Sequence, residues 1–120
     1  TAKALMGEDL VVFGDGLAVR DYLHVSDIVQ GYNLVLDNND LKGKVINFAS
    51  GQDNRIRDIA EYIAKKFGVK VVYGQSRSGE VSRFPADISF AKSLGFTPKI
   101  GIWEGIDLYI KWAIENKIGF

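Results

Sequence analysis

Arginines outside the apolar stretches are the first residues with a chemistry of their own. Arg20 follows a glycine-rich turn, and Arg77 lies in the polar string Arg77-Ser78-Gly79-Glu80. A guanidinium is a rigid planar fork of N–H donors that matches phosphate oxygens two at a time. Two forks reaching in from separate loops can clamp a diphosphate. Glu80, three residues after Arg77, can accept hydrogen bonds from ribose or sugar hydroxyls, and Phe13, at the end of an apolar run, can pack against a base. The same residues also have an ordinary reading, as surface arginines held in exposed ion pairs that contribute little energy.

Two further strings imitate catalytic motifs. Gly14-x-Gly16 follows an apolar run, as the start of a dinucleotide fingerprint would, but Val19 stands where the third glycine belongs. Arg20 then opens another extended stretch, whereas a pyrophosphate cradle needs a helix N-terminus there. A tight turn between two strands fits better. Tyr62 and Lys66 form a Y-x-x-x-K pair, with Ser50 twelve residues upstream. Such a lysine can lower a tyrosine pKa so that the phenolate acts as a base. Helices rich in both residues give this spacing often, and Lys65-Lys66 near a helix end also suits the helix dipole. No residue is assigned a catalytic role. His24, the lone histidine, reads as a structural side chain, hydrogen-bonded inside a strand.

The elements that must position these residues follow from periodicity. Leu10–Phe13 reads as a short buried strand, Gly14-Asp15-Gly16 as a turn, and Asp21–Val25 as a second extended stretch. Ser26 or Asp27 is expected to cap a helix with Ile28, Tyr32, Val35 and Leu36 inward, ended by Asn38-Asn39-Asp40. Val45–Ala49 reads as a strand broken by Ser50-Gly51. Ile56, Ile59, Ala60, Ile63, Ala64 and Phe67 form one helical stripe closed by Gly68. Val69–Tyr73 is a strand and Gln75–Pro85 a polar loop. Asp87 can cap a short helix ending at Leu94-Gly95. Gly101–Lys117 carries a last helix with Ile106, Ile110, Ala113 and Ile114 inward. The alternation predicts a mixed α/β, α+β-like layered domain with short strands and about four helices, residues 1–120 forming one unit.

Bulk composition narrows the function classes. With 47% hydrophobic and 25% charged residues the chain is globular. Fifteen basic against fifteen acidic side chains give no support to a nucleic-acid partner. No cysteine and a single histidine argue against a disulfide framework and against a zinc site, and fit a reducing cytoplasm. No apolar run approaches the length of a membrane span. Thr1-Ala2-Lys3 lacks an initiator methionine, and Ala2, Leu5 and Met6 recur at helical spacing before Gly7. That pattern is expected of a chain that starts inside a helix, as a truncated one would.

Taken in order, the strings resemble the C-terminal region of the extended short-chain dehydrogenase/reductase family, which includes UDP-glucose 4-epimerase and dTDP-glucose 4,6-dehydratase. Val12-Phe13-Gly14-Asp15-Gly16 leads to Arg20-Asp21-Tyr22-Leu23-His24-Val25-Ser26-Asp27. Asn47-Phe48-Ala49-Ser50-Gly51, Arg77-x-Gly79-Glu80-Val81-x-Arg83, Leu94-Gly95-Phe96-x-Pro98 and Glu104-Gly105-Ile106 follow with matching gaps. The resemblance implies that Arg20 and Arg77 reach the nucleotide diphosphate, that Glu80 holds ribose, and that the strand bearing Val12 and Phe13 lies along the base. It implies an NAD-dependent parent enzyme in which the cofactor takes hydride from the sugar and returns it to the other face. The glycine fingerprint for NAD and the catalytic Tyr-x-x-x-Lys of the family lie upstream, in a Rossmann domain absent here. The 120 residues alone are therefore expected to bind no NAD and to be inactive.

The chain departs from the family at three positions: Glu80 stands where aspartate is usual, Ser78 where proline or alanine is common, and Arg55 where serine or threonine usually caps the helix, so that Asn54 is expected to cap it instead. The Gly79-Glu80-Val81 loop favours an epimerase over a 4,6-dehydratase. A stand-alone, non-catalytic binding module is the rival from another class. The expected partners are a nucleoside-diphosphate sugar and either a second copy of the chain or the missing N-terminal domain.

Overall fold

Four apolar residues make β1 (Leu10–Phe13), and its ladder partner comes sixty residues later. In the computed structural model, which describes residues 1–36 and 38–117, β1 pairs in parallel with β4 (Val71–Gly74), Leu10 opposite Val71 and Phe13 opposite Gly74. Parallel strands need a crossover. Its packed element is helix α3 (Ile56–Phe67), which lies against both strands. Its stripe buries Ala60, Ile63 and Ala64, and Gly68 closes it in the left-handed conformation at φ 69°. Neither Asn54 nor Arg55 caps it with a side chain: Asn54 donates instead to the Gln52 carbonyl, inside the two-residue strand β3 (Asn54–Arg55). The first N–H groups of α3 go to the glycine turn, Ile56 to Ala18 O at 3.0 Å and Arg57 to Gly16 O at 2.9 Å. Helix ends must find such partners.

Ala4, Ile63 and Ile106 form the centre of the core, with Leu10, Ile59, Tyr62, Phe67, Val69, Ile102 and Ile110 around them. Ala4 belongs to α1 (Ala2–Leu5), which packs on α3 and is part of the core. Ile106 belongs to α5 (Ile102–Glu115). An aromatic contact joins Phe48 to the buried Phe96, ring centroids 4.9 Å apart. Strand β2 (Val19–Arg20) pairs antiparallel with β3, Arg20 opposite Asn54. The remaining helices are α2 (Val25–Leu36) and α4 (Ser89–Ser93), and a 3-10 turn covers Asn39–Leu41.

The mixed α/β class stands, with five α-helices among the described residues where about four are predicted. Several local expectations are corrected. Asp21–His24 is irregular and only Val19–Arg20 is strand; α2 begins at Val25, so Ser26 and Asp27 lie in its first turn. Val45–Ala49 forms no ladder among the described residues, because no strand lies beside it to complete one. Tyr32, Leu36 and Ile114, predicted inward, are exposed. The fourth strand runs over Val71–Gly74, two residues later in starting than Val69. Asp87 does bind a helix N–H, that of Ser89 at 2.9 Å, which lowers its pKa.

The molecule is thin and open, 49 × 36 × 19 Å with a radius of gyration of 16.8 Å. A compact chain of this length would have about 14 Å. The accessible surface is 8113 Å², against roughly 6,500 Å² for a compact monomer of this mass.

Candidate functional site

The cleft begins at the glycine turn. Gly14 and Gly16 both hold φ 69°, and a Cβ on Gly16 would stand 2.9 Å from the Arg57 Cβ. Only glycine allows the turn to lie so close to the start of α3. With the turn pinned there, β1 forms the floor, β2 carries Arg20 up one wall, and the Arg77–Glu80 loop after β4 supplies the other.

The cleft of about 230 Å³ is lined by Val12, Phe13, Arg20, Arg77 and Glu80, with Val11, Gly16, Ala18, Tyr22 and Ile56 completing it. All five sequence-predicted residues therefore meet in one place. Val12 is 4% exposed and gives the floor its apolar surface, while Phe13 stays 42% exposed. The Arg77 guanidinium carbon lies 3.8 Å from the Phe13 ring centroid, a cation–π contact that presents charge and aromatic surface together. Arg20 is half-buried, and its Nη1 donates to Val19 O at 2.7 Å and Val81 O at 2.8 Å. Both bonds use one nitrogen, so Nε and Nη2 keep their donors without a protein partner among the described residues. Gly79, at φ 79°, turns the loop so that Glu80 N faces Arg77 O at 3.4 Å.

Two arginines outside the cleft are ion-paired. Arg57 pairs with Asp58 and Glu61, and Arg83 with Asp53 at 2.7 Å. Neither Arg20 nor Arg77 forms an ion pair among the described residues. The salt-bridge reading thus describes Arg57 and Arg83; of the three arginines it leaves out among the described residues, Arg20 and Arg77 line the cleft and Arg55 does not.

Residues 1–49 match the family model described as "NAD dependent epimerase/dehydratase family". A putative UDP-glucose 4-epimerase of Methanocaldococcus jannaschii is 30% identical over 95% of this chain, which spans 37% of that protein. A putative GDP-L-fucose synthase 2 of Arabidopsis thaliana is 31% identical over 98% of this chain and 36% of its own length. The crystal structure of UDP-glucose 4-epimerase from Thermotoga maritima with UDP-glucose superposes at a TM-score of 0.87, with 29% identity, over 97% of this chain and 38% of that one. The chain is thus similar to part of proteins of the NAD dependent epimerase/dehydratase family. It spans little more than a third of the length of these relatives, and matches part of the epimerase fold.

The two decoy strings take clear structural roles. Lys66 Nζ lies 2.9 Å from Asp107 on α5, and the Tyr62 hydroxyl donates to the same carboxylate at 3.0 and 3.1 Å. The ion-paired hydrogen bond holds Asp107 below the usual carboxylate range and Lys66 above its ordinary value. Ser50, third member of the apparent trio, gives its hydroxyl to Asp21 at 2.5 Å. Tyr62 and Lys66 thus share Asp107, while Ser50 is engaged with Asp21. The glycine turn runs into β2, and the helix N–H groups it meets are already taken by Gly16 O and Ala18 O. Among the described residues the turn therefore meets no free helix N–H groups of the kind a dinucleotide cradle uses.

His24 sits at the head of α2, outside any strand. Its Nδ1 lies 2.7 Å from Ser26 Oγ and accepts the Ser26 N–H at 3.3 Å, and its carbonyl accepts from Asp27 and Ile28. Asp27, 3% exposed, points away from its own helix and accepts the N–H groups of Lys99 and Ile100, both at 3.1 Å. Asp21 accepts Ser50 N at 2.7 Å and Gly51 N at 2.8 Å. Sequence reasoning missed these two aspartates, as it did Tyr22, Ala18 and Ile56 in the cleft wall. The available signal was an acidic residue recurring inside an otherwise apolar extended string, where a carboxylate is costly unless it is hydrogen-bonded.

Proposed function

We propose that this chain is the C-terminal, nucleotide-sugar-binding part of an NAD-dependent nucleotide-sugar epimerase, and that Arg20 and Arg77 clamp the nucleoside diphosphate. The observation that carries this is the pair of guanidinium groups without ion-pair partners, brought into one cleft from β2 and from the loop after β4. Glu80 would take ribose hydroxyls, and Val12 and Phe13 would lie along the base. NAD, bound elsewhere in the complete protein, supplies the redox chemistry. The residues of this chain hold the nucleotide, and that binding energy orients the sugar for reaction. The family covers epimerases and dehydratases, and both would share the clamp; the Gly79-Glu80-Val81 loop favours the epimerase. The remaining length of the protein would carry the cofactor site and cover part of the bare surface described above. A stand-alone binding module is the rival, and the reading frame upstream of Thr1 discriminates: a continuous frame encoding a glycine fingerprint supports the enzyme, a stop followed by a start the module.

In the complete protein, Arg77→Ala should weaken binding of the sugar nucleotide by about 1.5–3 kcal/mol, the scale of a hydrogen bond to a charged group. Isothermal titration measures this directly. An affinity unchanged by the substitution would remove Arg77 from the clamp.

A further inference from the structure

We propose that Asp21 is a positioning residue that holds Arg20 in place for the diphosphate, an inference that rests on the function proposed above. Strand β2 is only two residues long and pairs with a partner of two residues, so its ladder alone is a weak support. On one side the 81–83 segment steadies it: Val19 N donates to Ser82 O at 2.9 Å, and Arg20 Nη1 donates to Val81 O. On the other side the tie after the ladder is Asp21. Successive side chains on extended backbone point to opposite sides. Arg20 lines the cleft, and Asp21 turns to the Ser50-Gly51 corner.

That corner is built to receive a carboxylate. Oδ1 accepts Ser50 N at 2.7 Å and Ser50 Oγ at 2.5 Å, and Oδ2 accepts Gly51 N at 2.8 Å. Ser50 Oγ in turn accepts Gln52 N at 3.1 Å. Gly51 turns at φ 74°, and a Cβ there would stand 3.1 Å from Ile88 Cδ1, so the corner is itself seated on a buried side chain. Hydrogen bonds to an ionised acceptor are shorter and about twice as strong as neutral ones. Three donors converging on one carboxylate fix the backbone one residue from Arg20. Without the carboxylate the end of β2 loses its tie to residues 50–51, and the guanidinium loses its direction into the cleft.

The test is a double-mutant cycle in the complete protein, read by calorimetric titration with whichever of UDP-glucose, dTDP-glucose and GDP-fucose the wild type binds most tightly. Asp21→Asn should cost about tenfold in affinity, and Ser50→Ala, which removes only the hydroxyl tie, about threefold, on the scale of the hydrogen bonds lost. In an Arg20→Ala background both effects should shrink to within about twofold, because coupled residues are non-additive. Full multiplication of the Asp21→Asn and Arg20→Ala losses would overturn the proposal, since a merely structural aspartate acts independently of Arg20. Ser50→Ala makes the same cycle if Asp21→Asn does not fold. Failure of the parent reading looks different: Arg20→Ala alone would then bind as the wild type does.

Discussion

Helices α2 and α3 have the same length and opposite relations to their apolar residues. Helix α3 buries Ala60, Ile63 and Ala64 and turns its arginine, lysines and glutamate outward. Helix α2 buries Asp27 and Gly31, and leaves Val25, Val29, Tyr32 and Leu36 exposed at 68, 52, 60 and 73%. These four residues recur at i, i+4, i+7 and i+11, so they form one stripe. Val25 also borders an apolar groove of about 690 Å³ lined by Tyr22, Leu108, Tyr109 and Trp112, and Val45, in the expected strand that found no partner, is 87% exposed. Continuous bare surface of this kind marks a place of contact. The area above that of a compact monomer, about 1,600 Å² by the mass scaling, is roughly twice what one partner gives to a standard interface. The contrast teaches that α3 buries its apolar stripe inside these residues, while α2 leaves its own stripe bare.

The strongest way to break this comparison is to ask whether the 120-residue chain associates. Sedimentation equilibrium over a concentration series should show self-association, and Val29→Glu with Leu36→Glu should abolish it by placing charge in the stripe. A clean monomer at every concentration would contradict the reading of α2. The same contrast should appear in stability. Ile63→Ala opens a cavity in the core and should cost about 2–5 kcal/mol by thermal or denaturant unfolding. Val29→Ala in the dilute chain should stay within about 0.5 kcal/mol, as surface changes do; equal costs would mean that the two helices are packed alike.

A finer prediction separates the inner faces of the helices. A Cβ on Gly31 would approach the Phe48 ring to 2.8 Å. Gly31→Ala should therefore destabilise by about 1–3 kcal/mol through overpacking, although helix propensity by itself favours alanine by about 1 kcal/mol. A more stable variant would show that α2 can lift from Phe48 without loss.

Much of the site was legible because its residues carry their chemistry in their types. Glycines that need positive φ, two arginines in polar loops, and an aromatic at a strand end announce themselves whatever surrounds them. The long stripe of α3 and its closing Gly68 were legible for the same reason, since one period repeats over three turns. The α2 region was not. Its pattern contains two apolar sides, and periodicity cannot say which of them this chain covers; Tyr32 and Leu36 were placed inward on that ambiguity. Val45–Ala49 has strand composition, but a ladder needs a neighbour that lies nowhere in the described residues. Asp21 and Asp27 were invisible as staples because their partners, backbone N–H groups and for Asp21 also the Ser50 hydroxyl, begin 29 and 72 residues away, and no local pattern encodes those.

The smallest expected effect lies where α3 meets α5. Asp107, held low by Lys66, contributes stability above its ordinary pKa that is lost as pH falls through the depressed value; Lys66, held high by Asp107, contributes below its ordinary pKa and loses it as pH rises through the raised value. Asp107→Asn should therefore flatten only the acid limb, below about pH 4, and the far alkaline limb of the stability curve. The pair is exposed, so the change should be slight. A large shift at neutral pH would mean that the contact does more than tie two helices.

The most direct test of the central claim is a crystal structure of the complete protein with UDP-glucose. The account predicts diphosphate oxygens within about 2.7–3.2 Å of guanidinium nitrogens of both Arg20 and Arg77, with the base beside Phe13. A diphosphate bound away from these two side chains, with the Arg20 and Arg77 forks still turned to protein, would contradict it.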